Sequence, residues 1–422
     1  MTLAGTKPYG HPVSFRSRWS SALIRLATVG DQVIVSVTNF VLTLIIGRIF
    51  SAEEFASYGI GLSIGLMLQG VQRHAITIPL MLEPADRVRR RARAISAEQS
   101  VLLAFTAVSA ALTLAILLSV NTSSFGHLVV IASAVCLVVY LQLEFARAFL
   151  VKVGRPWLLL ASACWYAAVA GTLSLLVITH RIEYLPMLAW LTAAMLAHAV
   201  AVLTIAGLPD FRKGLRLLAA DIRRYGGWAA IATATYTGYN HVPLLILGAI
   251  AAPIHAAAFV ATRSLLQPLQ ILLRGFDVAD KSTFAKAARD PFSKAALLFT
   301  LKLAALYAAI GTAFGIAVFF LADWLIVFAY GAKFADHGAA LIAWVPAYML
   351  LSITMPLESL VYARKAFHGY FLIRGIASLV AIAASIPLIA AYSDVGAVSA
   401  CTLGWGIAAA GALTFLIRGT RT

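Results

Sequence analysis

Acidic residues are scarce in this chain: 17 Asp and Glu stand against 33 Lys and Arg, and charged residues together make up only 12% of its 422 positions. A soluble domain carries roughly 25% charge, so the composition excludes one and points to an integral membrane protein. Cysteine is rarer still. Cys136, Cys164 and Cys401 lie in separate apolar stretches without paired spacing, which supports neither a disulfide framework nor a zinc site and reads as small buried hydrophobes. Also lacking are a sizeable outer loop, a metal-binding carboxylate pair and a nucleophile beside a base, the features a membrane-embedded glycan polymerase, ligase or glycosyltransferase would need.

What is present is hydrophobic sequence, 61% of the chain. Apolar runs of about 20 residues, enough to cross ~30 Å of hydrocarbon as helix, recur from residue 23 to residue 417. They predict twelve helices near 23–48, 54–82, 98–120, 127–150, 157–179, 185–207, 226–250, 254–277, 294–321, 339–362, 370–391 and 395–417. The expected fold is all-α. Residues 322–338 read as an interfacial turn, and residues 1–22, basic and without a short apolar core before a cleavage site, as a tail rather than a signal peptide.

The net charge of +16 would suit nucleic acid, but its distribution argues for topology instead. Alternate breaks carry almost all of it, including Arg87 to Arg93, Arg147 to Arg155, Arg212 to Arg224 and Lys281 to Lys294, whereas the opposite breaks carry only Arg181 and Lys333. By the positive-inside rule the first set is cytoplasmic, both termini are inside, and the number of crossings is even. No nucleic-acid partner is expected.

The chain also repeats. At an ungapped offset of 201, Asn39 aligns with Asn240, Gly47 with Gly248, Gln69 with Gln270 and Arg73 with Arg274. Polar matches in one frame are not a by-product of apolar composition. A repeat of six helices re-enters the membrane in its original orientation, which predicts two parallel lobes, 23–207 and 226–417, about an axis along the membrane normal. Residues 208–225 form the cytoplasmic linker and 418–422 a short tail.

Within helices, an arginine or lysine at the bilayer centre costs roughly 2.5–3.5 kcal/mol, so such residues usually face a bundle interior or a cavity. At 1.5 Å per residue, Arg263 lies ~14 Å and Lys302 ~12 Å inside their predicted helices. Arg73 and Arg274 lie nearer the cytoplasmic side; Arg25, Arg48 and Arg374 sit close enough to predicted ends to act as anchors. These positions make Arg73, Arg263, Arg274, Lys302, Asn39 and Asn240 candidate substrate-binding residues. Asp31, ~12 Å into the first helix, is either one half of a salt bridge with a lobe arginine or a site for proton or sodium coupling. No other cofactor and no metal is expected. Gly238, Pro243 and Pro268 are candidate hinge positions, because proline removes a backbone donor and kinks a helix, and Arg48 is a candidate gate. His74, His198, His241 and His255 follow no metal-ligand spacing and read as hydrogen-bonding residues between helices.

A cationic cleft between two lobes suits a transporter of an anionic, phosphate-bearing amphiphile, since arginine pairs phosphate through bidentate hydrogen bonds. An exporter of cationic drugs, the alternative carrier, should have an acidic cleft. Three segments resemble the polysaccharide flippases of the multidrug/oligosaccharidyl-lipid/polysaccharide (MOP) exporter superfamily. They are NFVLTLIIGRIFSAEEFASYGIGLSI (39–64), with Arg48, Glu54, Phe55, Tyr58 and Gly59; VFAYGAKFADHGAALIAW (327–344), with Tyr330, Gly331, Lys333 and Phe334; and DVGAVSACTLGWGIAAAGAL (394–413). The resemblance implies a twelve-helix, two-lobe carrier of MATE-like architecture in the bacterial plasma membrane. It further implies, as in Wzx-type members, flipping of undecaprenyl-diphosphate-linked oligosaccharide for exopolysaccharide or O-antigen synthesis, with membrane lipid, a polysaccharide polymerase and chain-length proteins as partners.

Overall fold

A computed structural model of the chain describes residues 15–119, 123–270, 272–273, 290–364 and 367–420. Among these the regular structure is helical throughout, with no strand: α1 (Phe15–Ile49), α2 (Ala52–Gln72), α3 (Ile78–Leu82), α4 (Ala85–Ser119), α5 (Ser124–Val153), α6 (Pro156–Ile178), α7 (Tyr184–Ala206), α8 (Phe211–Asp221), α9 (Gly227–Asn240), α10 (Val242–Ile250), α11 (Pro253–Leu265), α12 (Lys294–Tyr330), α13 (Gly338–Ala363) and α14 (Phe367–Arg418). Eight described helices are long and apolar enough to cross a membrane. Three of the remaining predicted segments are broken or only partly described, and α14 holds two in one run, so each of the twelve has a counterpart. The protein is an all-α, multi-pass membrane protein.

The breaks have local causes. Ser51 starts α2 with a capping box: its hydroxyl accepts from the Glu54 amide at 3.3 Å, and the Glu54 carboxylate accepts from the Ser51 amide at 2.9 Å, satisfying donors a helix start otherwise leaves free. Between α2 and α3 the chain makes one π-turn, Arg73–Thr77, whose closing bond runs from the Ile78 amide to the Arg73 carbonyl. Pro79 follows at once and can donate nothing to the preceding turn, so the shifted register falls where the ordinary one is already interrupted. Pro243 separates α9 from α10 at His241 (φ −126°). Pro268 lies just beyond α11, which ends at Leu265 with Leu266 as its cap.

Several expected boundaries move. The first helix begins at Phe15, eight residues before the predicted 23. The supposed turn over 322–338 is mostly helix, because α12 runs on to Tyr330 and leaves only Gly331, at φ +86°, and the 3-10 turn Ala332–His337 before α13. The last two predicted helices form one run kinked at Ser393. The linker carries a helix, α8, capped by Asp210, whose side chain accepts from the Lys213 amide at 3.2 Å. Leu208, Phe211, Leu215 and Ile222 are exposed on and beside it, as befits a helix lying at a membrane surface. Cys136 and Cys401 are buried as expected, but Cys164 is exposed.

Helices up to α7 pack chiefly on one another, through α1 with α6 and α2 with α5; those from α9 onwards do likewise, through α12 with α13, α13 with α14 and α9 with α14. The principal contact between the two sets is α2 against α11. It is centred on Gly59, where any Cβ would overlap Val260. Gly59 and Val260 are equivalent in the 201-residue repeat, so the two second helices cross at matching positions, as an axis passing between them requires. Gly47 makes a similar approach, a Cβ there falling 2.5 Å from the Tyr330 ring. Aromatic packing of Phe55 on Tyr330 (5.6 Å) and Phe334 (6.1 Å) closes this end.

Candidate functional site

Asp31 on α1, Arg73 at the end of α2, and Glu144 and Arg147 on α5 form one ion network. Arg73 is bidentate on Glu144, with Nε and Nη2 at 2.8 and 3.0 Å from its two oxygens. Arg147 donates from Nε to Asp31 and from Nη1 to Glu144 at 3.4 Å. Two carboxylates and two guanidiniums leave the network neutral, which is the condition for keeping Asp31 and Glu144 4% and 8% exposed in apolar surroundings. Arg73 differs from its partners: half of its side chain is exposed, so the carboxylate behind it holds a cation at an open face. Gln72, next to it, is buried and donates to Gln99 at 2.8 Å and to the Leu141 carbonyl at 3.0 Å, fixing the end of α2 from which Arg73 projects.

In the second half, Arg263 and Asn240 come together. The break before Pro243 frees carbonyls of the α9 end, and Arg263 donates from Nη1 to the Asn240 carbonyl at 2.9 Å and from Nη2 to its side-chain oxygen at 3.0 Å. The guanidinium also lies 5.7 Å from the Trp344 ring, a cation–π contact. Arg263→Ala leaves both oxygens without these donors and is expected to cost about 1–3 kcal/mol. Thermal unfolding of the purified protein should register the loss, and Arg263→Lys should recover only part of it, because an ammonium lacks the planar fork. Asn39, the repeat partner, accepts instead from the Tyr166 hydroxyl at 2.5 Å.

Arg374 is no anchor at a helix end. It is 5% exposed, lies over the rings of Tyr236, Tyr370 and Tyr239 at 4.9, 5.5 and 6.0 Å, and approaches Glu358 at 3.5 Å, a carboxylate that also accepts from the Tyr370 hydroxyl. Among the described residues its Nε has no hydrogen-bond partner.

Arg48 lies where the two halves meet. It donates to the carbonyls of Phe328 and, at 3.4 Å, Ala329, near the end of α12. Lys333 returns the contact by donating to the carbonyls of Arg48, at 3.3 Å, and Phe50. Each cation satisfies carbonyls that a helix end leaves open, and the reciprocal arrangement clamps the end away from the arginine-rich breaks. Gly238 abuts Ser378, 2.5 Å from where a Cβ would stand. Lys302 is exposed and emerges from α12 opposite the face formed by Thr300, Ala304 and Tyr307. Arg274 lies outside the described residues.

Sequence reasoning did not single out Arg147, Arg374 or the tyrosines around it. Arg147 was grouped with loop charges, although its i, i+3 spacing from Glu144 put both on one helix face. The one local sign at Arg374 is Tyr370, four residues earlier on the same helix; Tyr236 and Tyr239 come from α9.

No protein-family model matches the chain. No curated protein matches it either. Solved structures do, over nearly its whole length. A lipid II flippase, MurJ, in an inward closed conformation superposes with a TM-score of 0.67 at 14% identity, covering 94% of this chain and 87% of its own. A multidrug resistance MATE family transporter in an inward-facing conformation gives 0.62 at 12% identity, with 93% and 97% covered. A MOP superfamily transporter from Pyrococcus furiosus gives 0.60 at 12% identity, with 95% and 94% covered. The fold is that of the MOP superfamily transporters. At these identities the likeness concerns the fold alone.

Proposed function

We propose that this protein is a transporter that works by alternating access and flips a diphosphate-linked lipid oligosaccharide, of the undecaprenyl type, across the bacterial plasma membrane. The observation that carries the proposal is Arg73: a guanidinium half exposed at the end of α2 and held by a buried carboxylate, on the side that the positive-inside rule assigns to the cytoplasm. A diphosphate arriving there competes with Glu144 for the Arg73 fork, and Glu144 keeps a partner in Arg147, so capture strands no buried charge. The MOP fold supports the transport reading, and a flippase of a lipid-linked substrate shares that fold.

In this reading the structure has its outer end closed by the Arg48 and Lys333 clamp, and the breaks at Pro243 and Pro268 are the places where α9–α10 and α11 flex. Arg263 then receives the phosphates nearer the midplane by giving up one of its two bonds to Asn240. Asp31 serves cation coupling only if its bond to Arg147 opens, since a proton on the carboxyl removes the charge that Arg147 pairs with.

The test is the leaflet distribution of undecaprenyl-diphosphate-linked oligosaccharide in membranes with and without the protein, read by mass spectrometry and sugar accessibility in sealed vesicles. Accumulation facing the cytoplasm only when the protein is missing supports the proposal. Arg73→Gln should then slow flipping about tenfold or more, the equivalent of one lost charge-assisted pair, at unchanged protein level. An unchanged distribution in the absence of the protein overturns the reading.

A further inference from the structure

Three residues far apart in sequence converge at the end of the second half remote from the basic breaks. His255 stands in the first turn of α11, His337 closes the 3-10 turn before α13, and Asp394 follows the kink in α14. Nδ1 of His337 is 2.6 Å from one Asp394 oxygen, and Nδ1 of His255 is 3.3 Å from the other. One potential ligand atom from each residue lies within 4.8 Å of both others. The two imidazoles meet edge to face, 5.6 Å between centroids. We propose that His255, His337 and Asp394 are a binding site for a divalent transition-metal ion of the zinc class, with water as fourth ligand.

The donor chemistry suits that class: two imidazoles and a carboxylate are borderline ligands that favour zinc and its neighbours over calcium or magnesium, which take oxygen sets. So does the spacing. Ligands at about 2.0–2.2 Å in tetrahedral geometry stand roughly 3.3 Å from one another. His255 Nδ1 already stands at that separation from one Asp394 oxygen and His337 Nδ1 lies 2.6 Å from the other, and with one ligand atom from each residue within 4.8 Å of both others, side-chain adjustments of no more than about 1.5 Å bring the three to tetrahedral spacing. Access and burial are also matched: the Asp394 and His337 side chains are 8% and 12% exposed, while His255, at 31%, leaves a way in.

A second, independent observation comes from the backbone. Ser393, directly before Asp394, is held at φ 51°, ψ −121°, a region that residues with a Cβ avoid and that persists where the surroundings impose it, commonly at binding sites. This strained turn lets a single run of helix present Asp394 to the other two elements. The site also has a structural output. His337 closes the same short turn that carries Lys333 and Phe334, the residues that clamp onto α1 and α2, so a bound ion fixes one side of the clamp. The inference rests on these contacts and not on any assignment of the substrate.

The experiment uses the full chain, purified in detergent and stripped with a chelator, then titrated with zinc chloride. Bound metal is counted by mass spectrometry after desalting, and thermal unfolding is followed in parallel. One zinc per chain and a zinc-dependent rise in melting temperature are expected, with both lost in Asp394→Asn and His337→Gln and retained in His337→Cys, which replaces one zinc ligand by another. Should the buried variants fail to fold, His255→Gln, at the most exposed of the three positions, should still fold and bind zinc at least tenfold more weakly. Zinc uptake below one per chain in the unaltered protein overturns the proposal, as does equal uptake by the unaltered protein and His255→Gln.

Discussion

Arg147→Met is expected to destabilise the protein by about 3–5 kcal/mol, the range found when one partner is removed from a buried ion pair. The side chain bridges two carboxylates on different helices, Asp31 of α1 and Glu144 of α5, and methionine retains much of its volume without its charge. Asp31 would be left 4% exposed with no cation, while Glu144 would keep Arg73. The damage should therefore concentrate on the packing of α1 against α5. Thermal unfolding of the purified protein measures it. Adding Asp31→Asn should restore most of the loss, because the double variant removes both charges together; a double variant no more stable than Arg147→Met would show that the network does not act as a unit.

Gly59→Val should abolish closure of the end that carries the Arg48 and Lys333 clamp. The Gly59 position meets Val260 across the α2–α11 crossing with no room for a Cβ, and both residues belong to helices whose backbones cannot yield without moving whole lobes. The variant keeps its helix, since valine costs little in propensity there, but the closed arrangement becomes inaccessible. With Cys164→Ser removing the exposed native thiol, a reporter introduced as Phe334→Cys, at a position fully buried in the closed clamp, should react with an impermeant thiol reagent at least about tenfold faster in the Gly59→Val background, as a shift from a mainly closed to a mainly open population requires. Transport should fall by at least the same factor, because alternating access needs both end states. Unchanged labelling would show that the α2–α11 contact is not the one that opens.

How much of this was legible in one dimension differs from feature to feature. Each predicted crossing has a helical counterpart because the signal, ~20 apolar residues, is local and set by the thickness of the bilayer. The pairing of Arg263 with Asn240 is half legible: both are candidates, and Pro243 announces the freed carbonyls, but a separation of 23 positions hides the contact. Of the aromatic enclosure of Arg374, only Tyr370, four residues earlier on the same helix, is visible in sequence; Tyr236 and Tyr239 come from α9. A cation near a helix end reads as a lipid anchor whether or not tyrosines from other helices cover it.

The sequence by itself determined that this is a membrane protein, that its crossings are helical, that they come in two repeated sets, and where proline would interrupt them, since each follows from composition or periodicity along the chain. Only the tertiary structure decided which charges are paired, which face of each helix is covered, and where the two sets touch. Arg73, Arg147, Arg263 and Arg374 are the same side chain on similar apolar helices, yet one faces open space, one bridges two carboxylates, one caps a broken helix and one lies among tyrosines. Those differences are electrostatic. They depend on distances of a few ångströms between residues far apart in the chain, 116 positions for Arg147 and Asp31 and 285 for Lys333 and Arg48, and the chain acquires such distances only when its helices have packed.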